Sequence, residues 1–567
     1  MPPFARLVPT YAGLRRFGVR LALNLAVATA GTLLFLLPDL VWRAVSDVPG
    51  LGWYDTDIAY VALFFIFSRF VANTRWTIAL AAVMFLLGAA EMAHHAFIGA
   101  WFGPYDVALA GTEYEDLLAA LGVVASRAWP AFLIMTCGFG MVAALLRVSS
   151  RWAWRTRAGY FMLAFWVAIP FVHAVTEDNS MRFNPDVEKT AFRNGMNAVS
   201  YYLVWGGLFG TGHGRVGHAY AAYEVAPDAS AGPPPYNIVV IMGESITYRH
   251  MSLFGYERPT TPFLDSLRGK PGFVARRAIS SGVSTHVSLP MFFNVQYEPD
   301  NRYHPARGTG NLFRLARQRG YQTAFLSRQR IKGTSGLVSQ GSVDHWEEED
   351  TVNQLPGTFD ARLIEALRRV DLDWSAPVFL TMNPRTGHIA YDDYYPSDAA
   401  VFKPRGDSWA AQQITAYDNA MHYFDSIVQH IVETVRARSA RPTVFILTSD
   451  HGERLSQEDG FGHNTLEVHS AEVPFVLYSP ERPDLAHRVD AELSCVTTHY
   501  NIGKAIQRLL GYDLDNPNEQ PGLFYINGVD LYGAGGFKVY RRNGCPPAAP
   551  PIHFVDAGLP PTAQLKR

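Results

Sequence analysis

The chain is poor in cysteine and in charge. Three cysteines in 567 residues exclude a disulfide scaffold. Cys137 lies in an apolar stretch and reads as a small packing residue, and Cys495 and Cys545 leave room for one bridge at most. The net charge is only −2 and charged residues make up 18%, so the basic excess that nucleic-acid binding needs is missing. There is no internal repeat.

Apolar residues are plentiful, at 48% with 12 Trp, and they are concentrated at one end. Residues 17–42, 57–73, 76–97, 129–147 and 158–176 each approach the roughly 20 residues that cross a bilayer. The second of these five is the weakest, because Asp55, Asp57 and Arg69 crowd a short apolar centre. The first is long and has no small-residue cleavage site, which predicts an uncleaved anchor. Arg6, Arg15, Arg16 and Arg20, then Arg69 and Arg75, then Arg147, Arg151, Arg155 and Arg157 occupy alternate loops. With five spans these clusters share one side, which is the cytoplasmic one, and everything after residue 176 lies outside. Residues 177–235 read as a connector ending in Ala229-Ser230-Ala231-Gly232-Pro233-Pro234-Pro235, and residues 546–567 as a proline-rich tail.

Between them, residues 236–545 alternate apolar strands with amphipathic helices. Pro377-Val378-Phe379-Leu380-Thr381-Met382, Thr443-Val444-Phe445-Ile446-Leu447 and Pro474-Phe475-Val476-Leu477-Tyr478 are strand-like, and Ile414–Val435 is helical. Such alternation predicts an α/β domain with a mostly parallel sheet covered on both faces. Two strands end in chemistry. The Thr443 run stops at Asp450-His451-Gly452-Glu453, and Tyr236–Met242 stops at Gly243-Glu244-Ser245. Carboxyl edges of parallel strands are where such folds place their sites, and two carboxylates with an imidazole are metal ligands. Between these strands lies the hydroxyl-rich loop Ser280-Ser281-Gly282-Val283-Ser284-Thr285-His286-Val287-Ser288-Leu289-Pro290. It can hold one hydroxyl over a metal as a nucleophile; chemistry alone does not choose among Ser281, Ser284, Thr285 and Ser288.

Gly243-Glu244-Ser245, Ser252-Leu253-Phe254-Gly255-Tyr256 with Thr260-Thr261-Pro262, Thr285-His286-Val287-Ser288-Leu289-Pro290, and Asp450-His451-Gly452-Glu453 occur in an order that resembles the membrane-bound phosphoethanolamine transferases of Gram-negative bacteria, members of the alkaline phosphatase and sulfatase superfamily. The resemblance implies an inner-membrane protein with five transmembrane helices and a periplasmic α/β catalytic domain. It implies zinc held by Glu244, Thr285, Asp450 and His451, with Thr285 as nucleophile. The donor would be phosphatidylethanolamine and the acceptor lipid A, a core sugar or another envelope glycan.

Further family positions match His388 and His463, which would face the substrate phosphate or hold a second zinc, and Lys332, a cation near that phosphate. Phe102-Gly103 and Asp106 followed by Glu113 are similar to a family helix whose carboxylate meets the donor's amine. His286, His94, His95 and His469 receive no role. The several disulfides usual in the family are impossible here, so the Thr285 loop must be held by packing. A sulfatase would need a Cys/Ser-x-Pro-x-Arg motif, which is absent around Thr285. A phosphoglycerol transferase with a single manganese is the alternative enzyme, and an inactive membrane-anchored lipid- or glycan-binding protein the alternative without catalysis.

Overall fold

The computed structural model describes residues 11–46, 55–98, 101–104, 106–107, 110, 114–176, 183, 189–204, 220–221, 223–227, 235–299, 304, 308–330, 343–456, 460–493, 496–528, 537–541 and 555–556. The chain divides into two compact units, Met1–His213 and Gly214–Arg567.

The first unit is helical: α1 (Tyr11–Val45), α2 (Asp55–Ser68), α3 (Thr74–Ile98), α4 (Tyr114–Ser149), α5 (Ala158–Thr176) and α6 (Ala191–Tyr202). Leu33, Leu86, Phe161 and Phe165 are exposed on these helices while Phe64, Phe65 and Met92 are buried between them. Apolar side chains all round a helix are what a lipid environment requires. By length and composition α1, α3, α4 and α5 can each cross a membrane, whereas α2 is shorter.

Its contacts show that α2 nevertheless runs the full distance between the polar ends of the bundle. At one end, Arg69 donates from Nε to Asn24 Oδ1 at 2.8 Å and from Nη2 to Ser149 O at 2.7 Å. At the other end Asp57 pairs with Arg193 at 3.2 Å. There Asp39 accepts from Ala191 N at 2.6 Å, and Arg43 donates to Lys189 O at 2.6 Å. Asn24 and Asp39 stand about 22 Å apart along α1 at 1.5 Å per residue, a distance that a fourteen-residue helix covers within about one residue. The charges that weaken α2 as a sequence pattern are the groups that tie its two ends. Five helices therefore alternate in direction, and Arg20, Arg69, Arg147, Arg151, Arg155 and Arg157 gather at the Asn24 end.

That arrangement predicts an activity-compartment result. A reporter that works only outside the cytoplasm should be active when fused after Arg567 and silent when fused after Arg157. The reverse pattern would remove α2 as a crossing.

Two details differ from the sequence reading. Helix α6 lies inside the stretch read as a connector, capped by Thr190 Oγ1 accepting from Arg193 N at 3.1 Å, and it belongs to the helical unit through Asp39 and Asp57. Cys137 is exposed on α4 rather than packed. Cys495, Cys545 and the tail 546–567, apart from 555–556, lie outside the described residues.

The second unit contains β1 (Val225–Pro227), β2 (Asn237–Gly243), β3 (Phe273–Ile279), β4 (Gln322–Ser327), β5 (His345–Glu347), β6 (Val378–Asn383), β7 (Thr443–Ser449), β8 (Arg454–Ser456), β9 (Gly460–Gly462), β10 (Glu472–Tyr478) and β11 (Thr497–Thr498). Eight of them form one sheet in the order β11-β3-β10-β7-β2-β6-β4-β5. Only β10 runs against its neighbours β3 and β7; the other adjacent pairs are parallel. Side chains alternate across the sheet: Ile238, Val240 and Met242 enter one core with Phe292 and Phe379, and Val239 and Ile241 enter the other with Tyr417 and Phe424. The second face is covered by the Trp409–Arg438 helix. β2 and β7 pair in parallel from Asn237↔Thr443 to Gly243↔Ser449, so Glu244 and Asp450 emerge side by side.

Candidate active site

Each strand end is locked before it presents a ligand. Asp450 N donates to Gly243 O at 3.0 Å, and Ser245 N donates to Asp450 Oδ1 at 3.0 Å, so the β2 and β7 exits are laced together. Ser245 carries a positive φ of 57°, a strained backbone at a sharp turn of the kind found at functional sites. Its hydroxyl donates to Glu244 Oε1 at 2.9 Å, and Gln329 Nε2 donates to Glu244 Oε2 at 2.8 Å. Gly387, at φ 111°, lies against this turn; a Cβ there would meet Glu244 O at 2.3 Å, so only glycine lets the His388 loop approach.

Thr285 opens the helix Thr285–Phe293. Its Oγ1 donates to Asp450 Oδ2 at 2.7 Å and lies 3.4 Å from Glu244 Oε2 and 3.3 Å from His451 Nε2. His451 Nε2 is 3.6 Å from Glu244 Oε1 and 3.4 Å from Asp450 Oδ2. The other ring nitrogen, Nδ1, is 3.0 Å from Gly452 O. That carbonyl accepts a proton from Nδ1 and leaves the Nε2 lone pair facing the carboxylates. Ser284 does not cap the helix with its side chain, and Ser288 Oγ is engaged with Gly282 O at 2.9 Å.

The electrostatics ask for a cation. Glu244 is held above the usual carboxylate range by burial and then by the charge of Asp450; burial likewise raises Asp450. Two buried carboxylates this close are stable as anions only with positive charge between them. Ligating atoms of Glu244, His451 and His463 lie within 4.8 Å of one another. Oxygen and imidazole donors converging on one point fit zinc.

His463 follows the β8–β9 hairpin, with its ring 4.1 Å from that of His451 and 6.4 Å from that of His388. Glu453 Oε2 holds its Nδ1 at 2.9 Å, which turns Nε2 toward the cluster, and Tyr391 OH donates to Glu453 Oε1 at 2.5 Å. Burial pushes Glu453 up to about 8. His388 Nδ1 engages Ile389 O at 2.5 Å. The structure thus brings Glu244, Thr285, Asp450, His451, His463 and His388 to one edge of the sheet. Lys332 and Glu113 lie outside the described residues. His469 bonds Glu472 at 2.8 Å, and His94 pairs with Asp106 at 3.8 Å in the helical unit.

The sequence reading assigned no role to Gln329, Glu453, Tyr391, His499 or Asn527. Glu453 stands in the Asp-His-Gly-Glu motif, and Gln329 in the basic segment before Lys332, but neither residue type announces a partner. Nor is packing alone what holds the nucleophile loop. Ser280 N donates to Ala471 O at 2.8 Å, Val283 N to Asn527 O at 3.1 Å and Asn464 N to Val283 O at 3.1 Å.

Residues 236–512 match the sulfatase family. This stretch is a sulfatase-family domain. The chain is 29% identical to YhbX of Escherichia coli over 268 residues, 46% of this chain and 47% of that protein. It is 24% identical over 299 residues to the Kdo(2)-lipid A phosphoethanolamine 7''-transferase of Salmonella typhimurium, covering 49% and 52%. The chain thus spans about half the length of these curated relatives. The structure of the integral membrane lipooligosaccharide phosphoethanolamine transferase A of Neisseria meningitidis is similar with a TM-score of 0.51 at 18% identity, covering 87% of this chain and 95% of that one. At that identity the likeness is one of fold, membrane helices followed by an α/β domain. The resemblance read from the separated motifs is borne out.

Proposed function

We propose that this chain is a phosphoethanolamine transferase of the bacterial inner membrane with its sulfatase-family domain in the periplasm. It takes the head group from phosphatidylethanolamine, holds it on Thr285, and passes it to an envelope glycolipid or glycan, lipid A or a core sugar foremost. The observation that carries this reading is the placement of Thr285 Oγ1, 2.7 Å from Asp450 Oδ2 and within 3.4 Å of Glu244 and His451. The names of the relatives support the head group.

Glu244, Asp450 and His451, with Thr285, would hold the zinc. When bound, zinc supplies positive charge that lowers the pKa of the Thr285 hydroxyl and offsets charge on the phosphate. Asp450 Oδ2 holds the hydroxyl proton, so the Thr285 oxygen can attack phosphorus as that proton leaves. The phosphorus–oxygen bond to the glyceride breaks, its electron pair stays on the glyceride oxygen, and His388 or His463 returns a proton there. Diacylglycerol leaves. An acceptor hydroxyl then attacks the same phosphorus and gives its proton to that histidine, the Thr285–phosphorus bond breaks, and Asp450 returns the proton to the threonine oxygen. Two half-reactions spare the site from holding both lipids together.

Purified full-length protein mixed with phosphatidylethanolamine should release diacylglycerol and gain the mass of phosphoethanolamine on the peptide containing Thr285. A phosphoglycerol adduct from phosphatidylglycerol would move the assignment to the alternative enzyme. Mass spectra of lipid A and core oligosaccharide from cells with and without the protein identify the acceptor.

A further inference from the structure

His499 stands behind the site, fully buried, and its hydrogen bonds are to backbone groups. It is the first residue of the helix His499–Leu509, immediately after β11. Its Nε2 lies 2.8 Å from Ser449 O, the last residue of β7 before Asp450. Its Nδ1 lies 3.2 Å from Ser281 N, in the loop that leads to Thr285. A carbonyl can only accept and a backbone N–H can only donate, so one tautomer satisfies both: Nε2 carries the proton and Nδ1 the lone pair. The ring also meets Phe292 edge to face at 5.1 Å, and Phe292 belongs to the helix that Thr285 begins.

One rigid imidazole therefore spans the two chain segments whose spacing sets the site. On the far side of Ser281, its carbonyl accepts from Asn527 N at 2.9 Å and from Asn527 Nδ2 at 2.8 Å. The loop is gripped at both the N–H and the C=O of one residue, four positions before Thr285. Among the described residues, His499 ties Ser281 to the last residue of the strand that leads to Asp450 and His451.

We propose that His499 is a positioning residue that fixes Thr285 Oγ1 against Asp450, Glu244 and His451 by bridging Ser281 to Ser449. Its effect on turnover rests on the transfer reaction proposed above, but its effect on the geometry of the site does not. A misplacement of about 1 Å at a reacting group costs on the order of 10²-fold in rate.

The test uses full-length His499→Phe, His499→Asn and His499→Gln. Phenylalanine keeps the ring and loses both bonds. Asparagine places Oδ1 where Nδ1 stands and keeps the bond from Ser281; glutamine places Nε2 near the imidazole Nε2 and keeps only the bond to Ser449. Expected is a fall in kcat of roughly 10–100-fold for all three with KM changed less than about twofold, because asparagine and glutamine each keep one bond and neither keeps the bridge. Cobalt(II)-loaded protein gives a readout independent of any lipid: the visible spectra of all three variants should depart from that of the wild type. If wild type transfers no head group, the functional reading fails while the cobalt comparison still decides this one. Identical spectra in all four proteins, or kcat losses that merely follow each variant's fall in Tm, would overturn the proposal.

Discussion

Thr285→Ala is expected to abolish head-group transfer, by about 10⁴-fold or more, because it removes the atom that carries the intermediate. The fold should persist, since the Thr285–Phe293 helix is anchored by buried Phe292 and Phe293 and the substitution removes no bond from the sheet. Most of the metal binding should persist too, with Glu244, Asp450 and His451 in place. Ser284→Ala is the matched control and should keep most activity. Among the described hydroxyls of that loop, the one of Thr285 reaches Asp450 at 2.7 Å, whereas Ser280 and Ser288 both donate to Gly282 O, at 2.6 and 2.9 Å. Intact-mass detection of the phosphoethanolamine adduct in each variant checks this. Comparable loss in both would mean that the nucleophile is a different hydroxyl.

That choice among hydroxyls shows where sequence reading stops. Asp450 and Glu244 were legible as neighbours because each follows a continuous apolar run, which only a strand buried on both faces requires. Which serine or threonine faces them depends on the turn of a nine-residue helix, and adjacent hydroxyls look alike in a sequence. Strand direction was hidden in the same way. Pro474–Tyr478 reads as one more buried strand, yet β10 runs antiparallel to both neighbours, because burial on two faces imposes the same residues in either direction. α2 looked weak as a span since Asp57 and Arg69 interrupt it; in three dimensions each meets a partner from another helix. His499 and Asn527 left no sequence signal, because their partners are backbone groups of residues 50 to 246 positions away. Such bonds hold the Thr285 loop, which three cysteines could not brace with several disulfides.

The metal ligands give the other large expected effect. Full-length protein, purified and dialysed, should retain about one zinc per chain, and Asp450→Asn or His451→Ala should lose nearly all of it, because each deletes a buried donor that nothing nearby replaces. Gln329→Ala should act more mildly, lowering affinity roughly 10-fold, since it frees Glu244 Oε2 from its 2.8 Å bond without removing the carboxylate. His388→Ala and His463→Ala should keep the zinc yet slow the formation or breakdown of the Thr285 adduct by about 10²-fold, as expected of groups that work while charge and protons move. His463 is the sharper case, because its ligating nitrogen lies within 4.8 Å of those of Glu244 and His451, while Glu453 and Tyr391 hold its ring from behind. Elemental analysis beside adduct mass separates the two roles. Retained zinc with a sluggish adduct places His463 on the phosphate side of the site. Zinc stripped as completely as by His451→Ala would make Glu244, His451 and His463 the ligand set, and would leave Asp450 to act on the Thr285 proton alone.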